Sequence, residues 1–337
     1  MSKTEQQKST AADEGIKQLV STLPTKPDCN STTNLLYQYQ GFWYHQFYLE
    51  HLIAAQTHFT PEPNSTILCS YPKTGTTWLK ALSFAITTRT HYPPSQSPLL
   101  SRFPHDCVPF FELAPSVARN KLLVATHIPY TSLPAAAAAA SGCKLAYICR
   151  DPKDVVVSLW QFQRKQKKEE DDDGDADMGI EEAFEQFCEG NSVAGPYWDH
   201  VLGYWRASLE FPERVLFVRY EELKRETERC VKALADFLGC GFSLEEEKQG
   251  IVQGIIDLCS IESLKGLDVT KNGRFAPTES MPYTIHNSSF YRKGEVGDWR
   301  NFLTEEMGAR LDKIMADRFA GSGLGLWFSA SNQETTN

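Results

Sequence analysis

The chain has 337 residues, 41% of them hydrophobic and 23% charged, with a formal net charge of −9. That length supports a substantial buried core, and the composition is that of a globular protein, not a disordered or membrane-spanning one. The acidic balance argues against nucleic acid or an acidic membrane as partner, while leaving room for a local basic pocket. The nine cysteines form no CxxC pair and no Cys/His metal spacing, which suits reduced thiols in the cytoplasm better than a disulfide framework.

Residues 1–30 read as a flexible polar tail without the apolar core of a secretory signal. Residues 31–329 are expected to form one domain, and 330–337 a short C-terminal tail. The aromatic-rich segment LLYQYQGFWYHQFYLEHLIAAQ comes first, its second half with large apolar residues at helical spacing. STILCS then predicts a strand, YPKTGTTW (Tyr71 to Trp78) a turn, and LKALSFAI a helix. LLVATH, KLAYICR (Lys144 to Arg150) and VLFVRY (Val215 to Tyr220) predict three more strands. Each is short, continuously apolar and rich in β-branched or aromatic residues, the pattern of strands buried on both faces of a parallel sheet.

Helical segments alternate with these strands. Asp151 reads as an N-cap and Pro152 as the first residue of the helix KDVVVSLWQFQRK. GPYWDHVLGYWRASLE and EELKRETERCVKALADFLG are two further helices, the second closed by Gly239. The alternation predicts an α/β fold with a central parallel sheet flanked by helices. The alanine run 135–140 reads as a short helix or connector. The charge-dense run 165–179 reads as an exposed mobile loop, with a lid over a substrate mouth as the alternative.

The turn at Tyr71–Trp78 carries the chemistry. A strand-to-helix turn presents free N–H groups at the positive end of the helix dipole and so favours anions. Gly75 allows close approach, Thr74, Thr76 and Thr77 add hydroxyls, and Lys73 adds a charge. The lysine precedes the only glycine, which is not the G-x-x-x-x-G-K-[ST] order of nucleotide hydrolases, and no acidic residue outside the Asp151 cap is placed to hold Mg²⁺. The reading is therefore a phosphate-like ligand held without a metal. Arg150, Ser158 two turns into the next helix, Tyr220, and Arg292, Lys293 and Gly294 in FYRKGEVGDWRN add a second set of anion-binding groups near strand ends. Together the two clusters could surround a ligand with two separated phosphate groups.

Together, YPKTGTTW, CRDPKDVVVS, RYEEL and RKGEVGDWRN resemble the cytosolic sulfotransferases, and YQGFWY and GPYWDHVLGYW look like their plant branch. The likeness runs from about residue 37 to residue 328 in the family's order. It implies the donor 3′-phosphoadenosine 5′-phosphosulfate (PAPS), the product adenosine 3′,5′-bisphosphate (PAP) and a P-loop-like strand–turn–helix. It implies that Lys73, Thr74, Gly75, Thr76 and Thr77 cradle the phosphosulfate and that Trp78 stacks on the adenine. Arg150, Ser158, Arg292, Lys293 and Gly294 would hold the 3′-phosphate, Tyr220 would contact the adenine side, and Ser260 in CSIESL would add a contact. His127, in ATHIPY at a strand end, is the candidate base, since histidine titrates near neutrality. Lys73 would stabilise the leaving phosphate, and Ser158 would restrain that lysine.

The partner expected is a small hydroxyl acceptor, of phenol, flavonoid, steroid or hormone type. Tyr37, Tyr39, Phe42, Trp43, Tyr130, Tyr197 and Trp198 are candidate pocket walls. Two departures from animal members stand out. Ala125 replaces a lysine two residues before the histidine, and RNFLTEEMGA degrades their dimer motif, so a monomer is expected. The competing readings are a Mg-dependent nucleotide kinase and a PAP-binding protein without turnover.

Overall fold

The structure, a computed structural model, describes residues 14–28, 35–118, 120–139, 142–169, 178–276, 278 and 284–325. Near the N-terminus β1 (Thr25–Pro27), β2 (Leu35–Tyr39) and β3 (Phe42–His45) pair antiparallel. Gln40 and Gly41, both at positive φ, make the tight turn between β2 and β3. The chain then enters helix α1, Gln46–His58.

The four predicted strands form one parallel sheet. β4 (Thr66–Ser70), β5 (Leu123–Thr126), β6 (Lys144–Cys149) and β7 (Val215–Arg219) are ordered β5-β4-β6-β7. β4 is buried along its whole length and β6 along all but its first residue, which is why their sequences run apolar without alternation.

Side chains of opposite parity enter different layers. Ile67, Cys69, Leu145 and Tyr147 pack with α1, with α4 (Tyr197–Glu210) and with α7 (Glu305–Phe319), through Leu49, Leu52, Val201, Tyr204, Leu311 and Met315. Leu68, Ala146 and Ile148 pack with α2 (Thr76–Thr88), α5 (Thr227–Phe237) and α6 (Ile251–Leu258), through Leu79, Leu82, Leu234 and Ile255. Each such buried leucine or isoleucine contributes about 1.5–3 kcal/mol. A remaining pair, β8 (Arg274–Phe275) and β9 (Ile285–His286), is antiparallel.

Helix boundaries refine the sequence reading. Lys153 N–H donates to Asp151 Oδ1 at 2.9 Å, so Asp151 caps α3 (Pro152–Glu169). The expected loop from Lys165 starts later, because α3 continues through Glu169. Lysine, glutamine and glutamate sustain a helix better than their charge density suggests. Residues 170–177 of that run lie outside the described residues. The helix expected over 221–239 breaks at Glu226, whose backbone (φ −123°, ψ 48°) leaves the helical region, and α5 begins afresh at Thr227. Gly239, at φ +77°, closes α5, with Cys240 N–H on the Ala235 carbonyl at 2.9 Å.

Candidate active site

The sheet order sets the site. β4 lies between β5 and β6, so the chain after β4 can open a crevice at the carboxyl ends of the strands. Ser70, Thr126, Cys149 and Arg219 are the last residues of the four strands, and the predicted site residues follow directly from those ends.

At the end of β4 the backbone is left-handed at Lys73 (φ +69°) and again at Gly75 (φ +118°), the N-cap of α2. A Cβ at position 75 would stand 2.9 Å from Tyr220 Cδ2 and 3.1 Å from Ile148 Cδ1, so only glycine fits. The first-turn N–H groups of α2, at Thr76, Thr77 and Trp78, have no intrahelical partner. The threonines divide the work. Thr74 is fully buried and its hydroxyl serves the Tyr71 and Ile148 carbonyls at 2.8 and 2.9 Å, tying the turn to β6. Thr76 Oγ1 lies 2.7 Å from Ser70 Oγ.

Ser70, which sequence reading did not single out, joins this turn to the histidine. His127 Nδ1 is 2.7 Å from the Ser70 carbonyl and 3.2 Å from Ser70 Oγ. A carbonyl only accepts, so Nδ1 carries the proton and Nε2 of the neutral ring keeps its lone pair. Burial pushes the imidazole pKa down to about 3, against the opposing pull of the Ser70 carbonyl. Burial thus favours the neutral ring, with Nε2 unprotonated.

Helix α4 braces the loops that follow β5 and β6. Tyr197, His200 and Tyr204 share one face. Tyr197 donates its hydroxyl to the Arg150 carbonyl. His200 Nε2 donates to the His127 carbonyl at 3.1 Å, and Tyr204 donates to the Ile128 carbonyl at 2.6 Å. Since Nε2 of His200 holds its proton, Nδ1 accepts from Tyr147 Oη at 3.0 Å. Burial drives the His200 pKa down to about 4, so this bracing ring is also uncharged.

The cations converge around the turn. Lys73 is half-buried, and its Nζ rests 3.9 Å from the Phe162 ring centroid. Burial, with Arg150, Arg292 and Lys165 nearby, lowers its pKa to about 7. The Arg150 guanidinium lies 4.4 Å over Tyr220, which in turn meets Trp78 edge-on at 5.5 Å. Arg150 Nη2 donates to the Glu295 carbonyl at 2.6 Å and pairs with Asp154 at 3.3 Å, while its buried Nε has no hydrogen-bond partner among the described residues.

Two carboxylates that the sequence reading passed over hold this loop in place. Asp154, fully buried, accepts from Gly297 N–H at 2.8 Å and Trp299 N–H at 3.0 Å. Asp298 pairs with Arg292 and with Lys293, the latter at 2.7 Å. Burial opposes its ionisation, but Lys293, Arg292 and Asn301 outweigh burial and hold its pKa at about 2. Ser158 lies one turn beyond Asp154, 7% exposed. Gly294, at φ +69°, packs so closely on Ile261 that a Cβ would stand 2.5 Å from its Cδ1. Ser260 caps the helix that starts at Ile261, its Oγ accepting from Ser263 N–H at 3.1 Å.

The aromatic candidates are dispersed. Tyr37 and Tyr39 hydrogen-bond Gln46 and Gln56 beside the hairpin, at 3.3 and 2.9 Å. Trp43 lies under Lys26, and Trp198 under Arg318. Phe42 meets His200 edge-on at 6.3 Å and Tyr130 meets Tyr204 at 5.6 Å, so both contact the bracing residues of α4. A different set of rings runs from Lys73 to His127. Phe162 meets Phe290 at 5.4 Å, Phe290 meets His105 at 4.6 Å, His105 meets Phe110 at 5.2 Å, and Phe110 meets His127 at 4.8 Å. No local periodicity marks these residues, which come from distant segments.

A parallel α/β sheet whose strand ends bear an anion turn, clustered guanidinium groups and a neutral histidine defines a group transferase. The chain belongs to the sulfotransferase family: the family model described as the sulfotransferase domain matches residues 63–323. Cytosolic sulfotransferase 17 of Arabidopsis thaliana is 44% identical over 315 residues, 91% of this chain and 89% of that protein. The flavonol 3-sulfotransferase of Flaveria bidentis is 44% identical over 86% of this chain and 92% of that protein. Among solved structures, an Arabidopsis thaliana steroid sulphotransferase candidate aligns with a TM-score of 0.68 and 38% identity, covering 91% of this chain and 93% of that one. A mouse sulfotransferase complexed with PAP shares the fold, with a TM-score of 0.64 and 24% identity over 89% of this chain and 99% of that one. No helix among the described residues is long and apolar enough to cross a membrane.

Proposed function

We propose that this sulfotransferase moves a sulfuryl group from PAPS to the hydroxyl of a small acceptor, with His127 as general base and Lys73 stabilising the leaving phosphate. The observation that carries the reading is the Ser70 junction. One residue hydrogen-bonds both Thr76 of the anion turn and Nδ1 of the imidazole, which fixes base and turn relative to each other. The fit of a doubly phosphorylated adenosine rests on the glycine-only cradle at Gly75 and on the unpartnered buried Nε of Arg150.

In this reading the N–H groups and side chains from Lys73 to Thr77 hold the 5′ end, and Trp78 and Tyr220 flank the adenine. Arg150, Ser158, Arg292, Lys293 and Gly294 hold the 3′-phosphate, with Ser260 shaping the loop beneath. Bound there, PAPS supplies a sulfuryl group on a phosphate leaving group. His127 Nε2 takes the proton of the acceptor hydroxyl. Its Nδ1–H stays on the Ser70 carbonyl, which steadies the imidazolium that forms. Lys73 and the turn place positive charge where the leaving oxygen gains electrons. The names of relatives such as the Flaveria flavonol 3-sulfotransferase support a phenolic acceptor.

The test is an acceptor screen with radiolabelled PAPS in the presence of EDTA, across phenols, flavonoids, steroids and hydroxy acids. Transfer to at least one class, with PAP as product, is expected. Activity with ATP and Mg²⁺ but none with PAPS would establish a kinase. Tight PAP binding with no transfer to any acceptor would establish a binding protein.

A further inference from the structure

The buried face of α2 carries a group that neither the anion turn nor the base uses. Lys80 lies one turn beyond Thr76 on the same face, and Ser83 follows three residues later. Both are 0% exposed. Because helical side chains lean toward the N-terminus, the lysine stem runs back toward the strand ends. Its Nζ rests 3.2 Å from the centroid of the Phe110 ring, the same ring that packs on the His127 imidazole at 4.8 Å. Phe110 is fixed there by its backbone pairing with Ala125 on β5.

The polar atoms around this point are not paired with one another. Among the described residues Lys80 Nζ, Ser83 Oγ, His105 Nδ1 and Glu112 Oε2 are buried without a hydrogen-bond partner. Glu112 acts on the lysine through space, but its Oε1 is taken by the His127 N–H and the Tyr48 hydroxyl. Burying an amine with no acceptor is strongly unfavourable, and a ring face compensates only part of it. Burial accordingly moves the lysine pKa well below its ordinary value. Polar groups kept in the interior beside a base, at a cost to folding, mark a place where a ligand atom completes the hydrogen bonds.

We propose that Lys80 binds the acceptor, its Nζ donating to a carbonyl or carboxylate oxygen that flanks the hydroxyl being sulfated. The proposal rests on the sulfotransferase reading above and narrows its substrate class to hydroxy-carbonyl compounds. Phe110 touches both the Lys80 amine and the His127 imidazole, so an acceptor that reaches both with a hydroxyl and a neighbouring oxygen would lie against an aromatic side chain.

The test compares isomers that differ only in the oxygen beside the hydroxyl: 2-hydroxybenzoate against 4-hydroxybenzoate, and 3-hydroxyflavone against 7-hydroxyflavone. Wild-type enzyme is expected to favour the flanked member of at least one pair tenfold or more in kcat/KM. Lys80→Met keeps the stem and removes the amine. It should erase that preference through KM, leave PAP affinity unchanged, and not lower the melting temperature. A variant that keeps the preference overturns the proposal, as does a wild type that prefers neither flanked isomer or transfers to none of the four. A variant that melts lower with its preference intact assigns the lysine to the core. Failure to bind PAP, or to transfer from PAPS to any hydroxyl compound at all, strikes the parent reading instead.

Discussion

The proposed anion end and the proposed acceptor end of this site are built on opposite plans. At the anion end, cations are held by buried carboxylates before any ligand arrives: Arg150 by Asp154, and Arg292 and Lys293 by Asp298. At the acceptor end, rings form the wall, and the buried Lys80 Nζ, Ser83 Oγ and Glu112 Oε2 have no hydrogen-bond partner among the described residues. A cation cluster made rigid by fixed counter-charges loses little order on binding an anion, so this half is suited to one constant ligand. The other half leaves its polar demands open, and that is where relatives with different acceptors can diverge.

The contrast can be broken at several points. His127→Ala should have the largest effect, a fall in kcat of about 10²–10⁴-fold with PAP affinity unchanged. Single-turnover transfer and calorimetric binding separate the two, and a parallel loss of nucleotide would move the histidine to the anion end. Lys73→Ala should lower kcat by about 10²–10³-fold and also weaken PAP, because the lysine is proposed to serve both ends. A change in binding alone would confine it to the anion end.

Asp154→Ala leaves a buried guanidinium without its carboxylate and should cost about 3 kcal/mol of stability by denaturant titration. PAP affinity should fall with it, as the 295–299 loop loses its anchor. Unchanged values would show that this end is not preorganised by Asp154.

The pH dependence sharpens the comparison further. Lys73 is cationic below a pKa of about 7 in the ligand-free protein. PAP affinity should therefore weaken as pH rises through 7, by up to about tenfold per unit. Binding near pH 7 should take up a proton, visible as a buffer-dependent calorimetric enthalpy. With a non-ionising acceptor, kcat/KM should show no acid limb between pH 5 and 7, because His127 loses its proton only near 3. An acid limb near 6.5 would mean that the imidazole is better solvated than its surroundings indicate. The smallest effect is expected from Tyr204→Phe, which removes one hydrogen bond to the Ile128 carbonyl, worth about 0.5–1.5 kcal/mol. It should lower kcat by about three- to tenfold through the His127 loop, without touching PAP binding. An unchanged kcat would make α4 a core helix only.

The sequence by itself determined the local parts. Continuous apolar runs specified the four strands, of which β4 and β6 are buried on both faces while β7 is half-buried over its middle, and a glycine and lysine between strand and helix specified a tight turn, because backbone N–H direction and side-chain period are local properties. His127 and Arg150 could be placed at strand ends for the same reason, each following directly on a readable strand, while the role proposed for the histidine came from the family resemblance.

Tertiary structure alone decided what those parts meet. Ser70 and His127 are 57 residues apart and touch only because β4 and β5 pair. Asp154 and Gly297 are 143 apart and meet through the packing of α3 on the C-terminal loop. The wall from Phe162 to Phe110 is drawn from segments with no shared period. Of the candidate rings, Tyr197 meets the Arg150 carbonyl and Trp198 lies under Arg318. Which aromatic side chain faces a pocket depends on which sheet face and helix it packs against, and that is fixed by pairings far along the chain that short-range spacing does not encode.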